Sequence, residues 1–240
     1  MKEGKLGMAS YGCEVVDGGR YRLSFTVGGL LAEQGRTVAG LMVGDTAVAA
    51  AVDTLPSADR DDDAFAPAEL LESVRRYAVA ENVLQIRTRA AGVRIVNEVI
   101  KRLSALTMGE LRCIADADTL QPDRRALMWV AMCRYYALVG EFAQEVLREH
   151  FLIGTTTITY GDYEHFMLGK AMWHPEIDDL STSTSAKLRS NVFKAMAEAG
   201  LVNRTDDTII PSLLSREVAG ILMRRPESFG FFPMRGQISA

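Results

Sequence analysis

Cysteine, histidine and long apolar runs are all scarce in this 240-residue chain, and each scarcity removes a class of function. The three cysteines, Cys13, Cys113 and Cys133, form neither a CxxC pair nor an even-numbered disulfide framework, so reduced thiols in a cytoplasmic protein are the simplest expectation. The three histidines, His150, His165 and His174, lack the HExxH or paired spacing that would hold a metal. An apolar run spans residues 38–52, but Asp45 and two glycines interrupt it, and it falls short of the roughly 20 residues that cross a bilayer. Residues 1–20 form a polar, glycine-bearing extension without the charged, apolar and cleavage-site order of a secretory signal.

Catalytic signatures are missing as well. Gly161 to Lys170 has the wrong spacing for a phosphate loop, and Ala171 stands where a hydroxyl would hold magnesium. There is no G-x-S-x-G nucleophile elbow, no Cys–His nucleophilic motif and no PD followed by ExK. Asp178 and Asp179 could bind a cation in a cryptic nuclease, but adjacent side chains on a helix diverge and no third ligand is evident, so a cap or solvated turn is expected. These absences predict a protein that is not an enzyme and that carries no metal.

What is present is apolar content of 48%, enough for a substantial core in one large or two smaller domains. The formal charge of −4 argues against a uniformly basic surface, yet the charge alternates along the chain. Residues 53–69 sum to −5, residues 70–112 to +4, residues 113–179 to −6 and residues 180–240 to +3. Arginine outnumbers lysine 21 to six, which suits phosphate recognition through a planar fork of donors, although a GC-rich genome gives the same bias.

Helical periodicity dominates. A helical pattern covers residues 32–51, followed by a loop near 53–67 that contains Asp59, Asp61, Asp62 and Asp63; its ordinary role is solvation, the alternative being a mimic of nucleic-acid charge. Residues 68–80 read as a compact helix. Over residues 83–106, Val93, Val96, Val99, Ile100, Leu103 and Leu106 share one face, which puts Arg87, Arg94 and Lys101 in line on the opposite one with Glu98 among them. Thr107 and Glu110 read as a capping box, and Pro122 opens a long helical stretch through Arg148.

Beyond residue 153 the rhythm changes. Residues 155–159 are β-branched, residues 160–172 are helical, and Trp173-His174-Pro175 breaks the helix. Ser181 or Thr182 caps a helix to Ala199 that Gly200 ends, and residues 201–202 and 208–210 flank a polar turn as a short β-hairpin. The expected fold is mostly α: a helical bundle over residues 21–152 and a winged-helix-like domain with a short β-hairpin over residues 153–240.

On the helix ending at Ala199, Leu188, Val192 and Met196 mark the packed side, and Lys187, Ser190, Asn191 and Lys194 fall on the outer one. Lysines can neutralise phosphates, and Ser and Asn can donate to backbone or base edges. Arg204 lies in the hairpin turn, opposed by Asp206 and Asp207, while Arg189 sits nearer the packed side and reads as a structural ion pair. Arg87, Arg94 and Lys101 make a second candidate phosphate surface.

Several blocks in order carry a resemblance: YRLSFTVGGLL at residues 21–31, ENVLQIRT at 81–88, RIVNEVIKRLSAL at 94–106, RYYALVGEFAQEVLRE at 134–149, WHPEI at 173–177, TSAKLRSNVFKAMAEAGL at 184–201, IIPSLLS at 209–215 and FFP at 231–233. Together they resemble the A-protein family of the bacteriophage exclusion (BREX) defence systems. The resemblance implies a small, largely helical, non-enzymatic component that binds double-stranded DNA, works beside other defence proteins and needs no cofactor; a monomer is expected, and the hydropathy above argues against a membrane. A protein-protein adaptor without DNA binding is the alternative. The polar extension and the acidic loop depart from the family pattern, and the loop puts any extended basic surface beside it in doubt.

Overall fold

The computed structural model describes residues 19–25, 27–44 and 61–235; Cys13, most of the polar extension, the apolar run beyond Gly44 and the acidic run before Asp61 lie outside the described residues. Helix α1, Ala32–Val43, starts from Leu31 at φ 60 and stops at Gly44 at φ 87, a left-handed turn that glycine adopts without strain. It buries Val38, Ala39, Leu41 and Met42. Gly35 lets α1 cross closely, because a Cβ there would sit 2.5 Å from the Met128 sulfur.

Helix α2 runs Ala68–Ala80, the span that its apolar spacing predicts, and buries Leu70, Val74 and Ala78. The expected face over residues 83–106 is shorter at its start. Asn82, at φ 46, brackets Ile86 by accepting its N–H and donating to its carbonyl, and Thr88 then caps α3, Arg89–Leu103. An Asn side chain that satisfies a local turn competes with helix formation, so Arg87 precedes α3 instead of riding on it. The predicted capping box is present: Thr107 Oγ1 accepts the Glu110 N–H and Glu110 returns to the Thr107 N–H at 2.8 Å, opening α4, Met108–Ala115.

The long stretch from Pro122 is interrupted. Helix α5, Gln121–Tyr135, stops at Tyr136, whose φ of −108 and ψ of 92 leave the helical region, and α6, Ala137–Phe142, restarts at once. Burial of the Tyr136 ring explains the break, since its hydroxyl donates to Glu98 Oε2 at 2.8 Å deep in the core. A π-helical turn, Ala143–Arg148, and α7, Glu149–Ile153, complete the stretch.

Segment 155–158 then leads into α8, Tyr160–Ala171, a 3-10 turn at Pro175–Ile177, and α9, Thr182–Glu198. Strands β1, Val202–Asn203, and β2, Thr208–Ile209, pair antiparallel with Val202 opposite Ile209. The β-branched segment joins this hairpin: Thr157 bridges Thr208, the Ile158 N–H donates to the Asp207 carbonyl at 3.0 Å, and the Ile209 N–H donates to the Thr156 carbonyl at 2.8 Å. Helix α10, Arg216–Leu222, and a 3-10 turn, Pro226–Phe231, are the last elements among the described residues. The Trp129 indole donates to the Phe231 carbonyl at 2.9 Å, tying this end to α5.

One apolar cluster runs from Phe25 and α1 through α5 to α9 and Met234, so residues on both sides of position 153 share it. The fold is thus mostly helical with a small hairpin. Among the described residues, no helix is long and apolar enough to cross a membrane.

Candidate nucleic-acid interface

Ser181 caps α9 by accepting the Thr184 N–H, which fixes the register of every cation that follows. Lys187 and Ser190 are exposed. Lys194 is about half exposed, with Nζ 3.7 Å from Glu198 Oε1 one turn on. Arg189 pairs with Glu164 and lies 4.4 Å over the Tyr160 ring, in keeping with its expected structural role.

Asn191 is the departure. It is 3% exposed, and its Nδ2 donates to the Phe25 carbonyl at 2.9 Å, so it faces the interior and not the outer surface that its spacing suggests. The reason is a neighbour that a helical wheel does not contain: the segment of residues 21–31 lies across α9. Glu198 accepts the Leu30 N–H at 2.5 Å, and Gly28 and Gly29 let the backbone pass, because Cβ atoms there would meet Asn191 Oδ1 at 3.0 Å and Glu198 Oε2 at 2.7 Å.

The same segment is clamped from three other directions. Arg102, fully buried, donates to the carbonyls of Gly29 at 2.8 Å and Leu30 at 3.2 Å and pairs with Glu98 at 2.8 Å. Glu176 accepts the Tyr21 N–H at 2.6 Å, and the Tyr21 hydroxyl donates to Glu141 at 2.5 Å. The Tyr21 ring stacks 3.9 Å from that of His174. Burial, then the Glu141 carboxylate, push the Tyr21 phenol far above its ordinary range, so it is a fixed donor. Glu98 therefore sits in the core, not in the cationic stripe of α3. Sequence spacing missed Arg102 and Glu198 as binding residues for the chain's own backbone; their pairing with carboxylates or lysine one turn away reads as ordinary surface pairing.

On α3, Arg94 is exposed and Lys101 half-buried, while Arg87 is exposed just ahead of the Thr88 cap. Arg204 is exposed in the hairpin turn. Beside it, hydrogen bonds from Thr208 hold the Asp206 carboxyl below its usual range, which keeps that carboxylate charged and engaged within its own turn. Among the described residues, Arg87, Arg94, Lys101, Lys187 and Arg204 have no ion-pair partner.

No nucleophile is prepared among the described cysteines. Burial outweighs the opposing bond from Thr119 and pushes the Cys113 thiol up to about 11, with Glu217 adding to the rise, and burial pushes Cys133 well up too. Among the described residues, no group of three or more His, Cys, Asp and Glu could hold a metal ion.

A model of the BrxA family matches residues 67–226, from the start of α2 to the turn after α10. The chain belongs to the BrxA family. Similar proteins include the BREX protein BrxA of Bacillus cereus, 27% identical over 127 residues, which is 53% of this chain and 62% of that relative. The BREX protein BrxA of Escherichia coli O9:H4 is 26% identical over 125 residues, 52% of this chain and 58% of the relative. The chain thus matches somewhat under two thirds of these BrxA proteins' own length. An uncharacterized protein from Magnetospirillum magneticum has the same fold, with a TM-score of 0.66 at 18% identity over 88% of this chain and 96% of that one.

Proposed function

We propose that this BrxA-family chain is a non-enzymatic component of a bacteriophage exclusion system that binds double-stranded DNA largely through phosphates. It would act in the cytoplasm as a monomer beside other BREX proteins. The observation that carries the reading is the set of unpaired cations: Arg87, Arg94, Lys101, Lys187 and Arg204 stand at or near the surface of an acidic protein without a carboxylate partner among the described residues. Such side chains release condensed counterions when they meet phosphates, a gain that paired cations largely forgo.

The order of segment 155–158, α8, α9 and the β1–β2 hairpin, with Thr157 bridged to Thr208, supports a winged-helix-like reading of residues 153–240. In that reading α9 is the recognition helix, and helices of this kind present their N-terminal residues to base edges. Lys187 and Ser190 occupy that half and are exposed, whereas Asn191 and Glu198 hold residues 21–31. Arg204 would lie on the wing.

A fluorescent duplex titrated across salt tests the reading. Five phosphate contacts give a slope of about −4.5 in log K against log salt, or about 500-fold weaker binding between ~50 and ~200 mM. No binding at ~50 mM would leave the adaptor reading, which has its own support: Leu168, Met172 and Trp173 are exposed together at the end of α8, Trp173 by 81%.

A further inference from the structure

We propose, on the basis of the DNA-binding reading, that the cleft between α4 and α10 is a further site for the phosphate backbone of DNA, two of whose arginines are paired here with the chain's own Asp62 and Asp63. The cleft encloses about 460 Å³ and is edged by Arg112, Arg216 and Arg224. Asp62 pairs with Arg112, and Asp63 pairs with Arg224 at 2.8 Å. Two residues on, the Phe65 ring lies 4.4 Å from the Arg225 guanidinium. Two anions held by arginines, followed by a flat ring stacked on a third, reproduce the way phosphates and a base engage a basic surface.

The segment is set in place through its backbone. The Gly109 N–H donates to the Asp62 carbonyl at 3.0 Å, the Met108 N–H donates to the Ala64 carbonyl at 2.7 Å, and Phe65 bridges Thr107. Its charges are easily exchanged, because the Arg224 and Asp63 side chains are 52% and 59% exposed and pairs of that kind are weak and screened. Arg216 is exposed and, among the described residues, has no ion-pair partner. With Asp62 present, the three arginines of the cleft face Asp62, Asp116 and Glu217 and the charges balance. Neutralise Asp62 and the cleft turns positive.

The test uses the full chain and a fluorescent duplex, comparing wild type with the triple variant Asp61→Asn, Asp62→Asn and Asp63→Asn. Asn keeps the side-chain oxygen with which Asp61 accepts the Asp63 N–H at 3.0 Å, and the backbone contacts remain, so only charge is lost. Opening Arg224, beside the unpaired Arg216, to phosphate should tighten binding about fivefold at ~100 mM salt and steepen the salt slope by about 1.8. Adding Arg216→Gln and Arg224→Gln to the triple variant should abolish the gain. An unchanged affinity in the triple variant, with wild type still binding, overturns the site and leaves the DNA reading intact. A gain that survives the arginine substitutions also overturns it, since the effect would then be one of overall charge. No binding by any of the proteins at ~50 mM sinks both.

Discussion

Arg102 and Asn191 place a cation and an amide in the core, and each is committed to a backbone carbonyl of residues 21–31. Removing one partner of a buried ion pair leaves the other charge unpaired in a poorly solvating interior. Arg102→Ala should therefore lower unfolding free energy by about 3–5 kcal/mol, measured by urea denaturation. Asn191→Leu should cost about 1–3 kcal/mol by orphaning the Phe25 carbonyl, yet leave the salt slope of duplex binding unchanged. Lys187→Ala should do the reverse, with stability kept and the slope shallower by about 0.9. A stability loss without a slope change in both variants would remove Lys187 from the interface. The inward turn of Asn191 and Glu98 was not legible in the sequence, because spacing within one helix gives directions but not what lies opposite. Their partners are residues 25 and 136, far along the chain.

The elements themselves were largely legible where local chemistry decides them. The span of α2 follows from its apolar spacing, and the capping box of α4 and the Ser181 cap of α9 follow from side chains within a turn of each helix start. The breaks at Asn82 and Tyr136 were not, since one depends on an Asn choosing its own turn and the other on a ring drawn into the core. The glycines of residues 28–29 matter at this scale. Gly29→Ala imposes a side chain at φ 84 and drives its Cβ into Glu198, whereas Gly154→Ala meets a similar φ of 86 with nothing within 4 Å. The second change should cost about 1–2 kcal/mol from backbone strain alone. The first should exceed it, because the Glu198 hydrogen bond to Leu30 is lost as well; equal losses in parallel urea melts would show that the close approach carries no energy.

Across the whole molecule, the net charge of −4 hides surface cations that the alternation of acidic and basic stretches already suggested. It does not reveal that Arg102 is spent internally. Acid should loosen the arrangement at a defined point. Burial pushes Glu176 up, but bonds from the Tyr21 N–H, its own N–H and His174 win and hold its carboxyl below the usual range. A depressed folded value means that this stabilisation is present above the unfolded value of about 4.3 and is lost as pH falls through the folded one. Glu176→Gln should flatten that part of the stability-against-pH curve in acid titrations; an unaltered curve would assign the acid transition to other carboxylates.

Residues 21–31 leave the ribosome well ahead of the groups that close upon Tyr21, Phe25 and Leu30, which follow 155, 166 and 168 positions later. At ordinary elongation speeds that is a delay of roughly ten to thirty seconds, with the carbonyls and amides of the leading strip left to water or to a chaperone. Nascent chains halted before Glu198 should leave this strip open to protease, and completion of α9 should seal it.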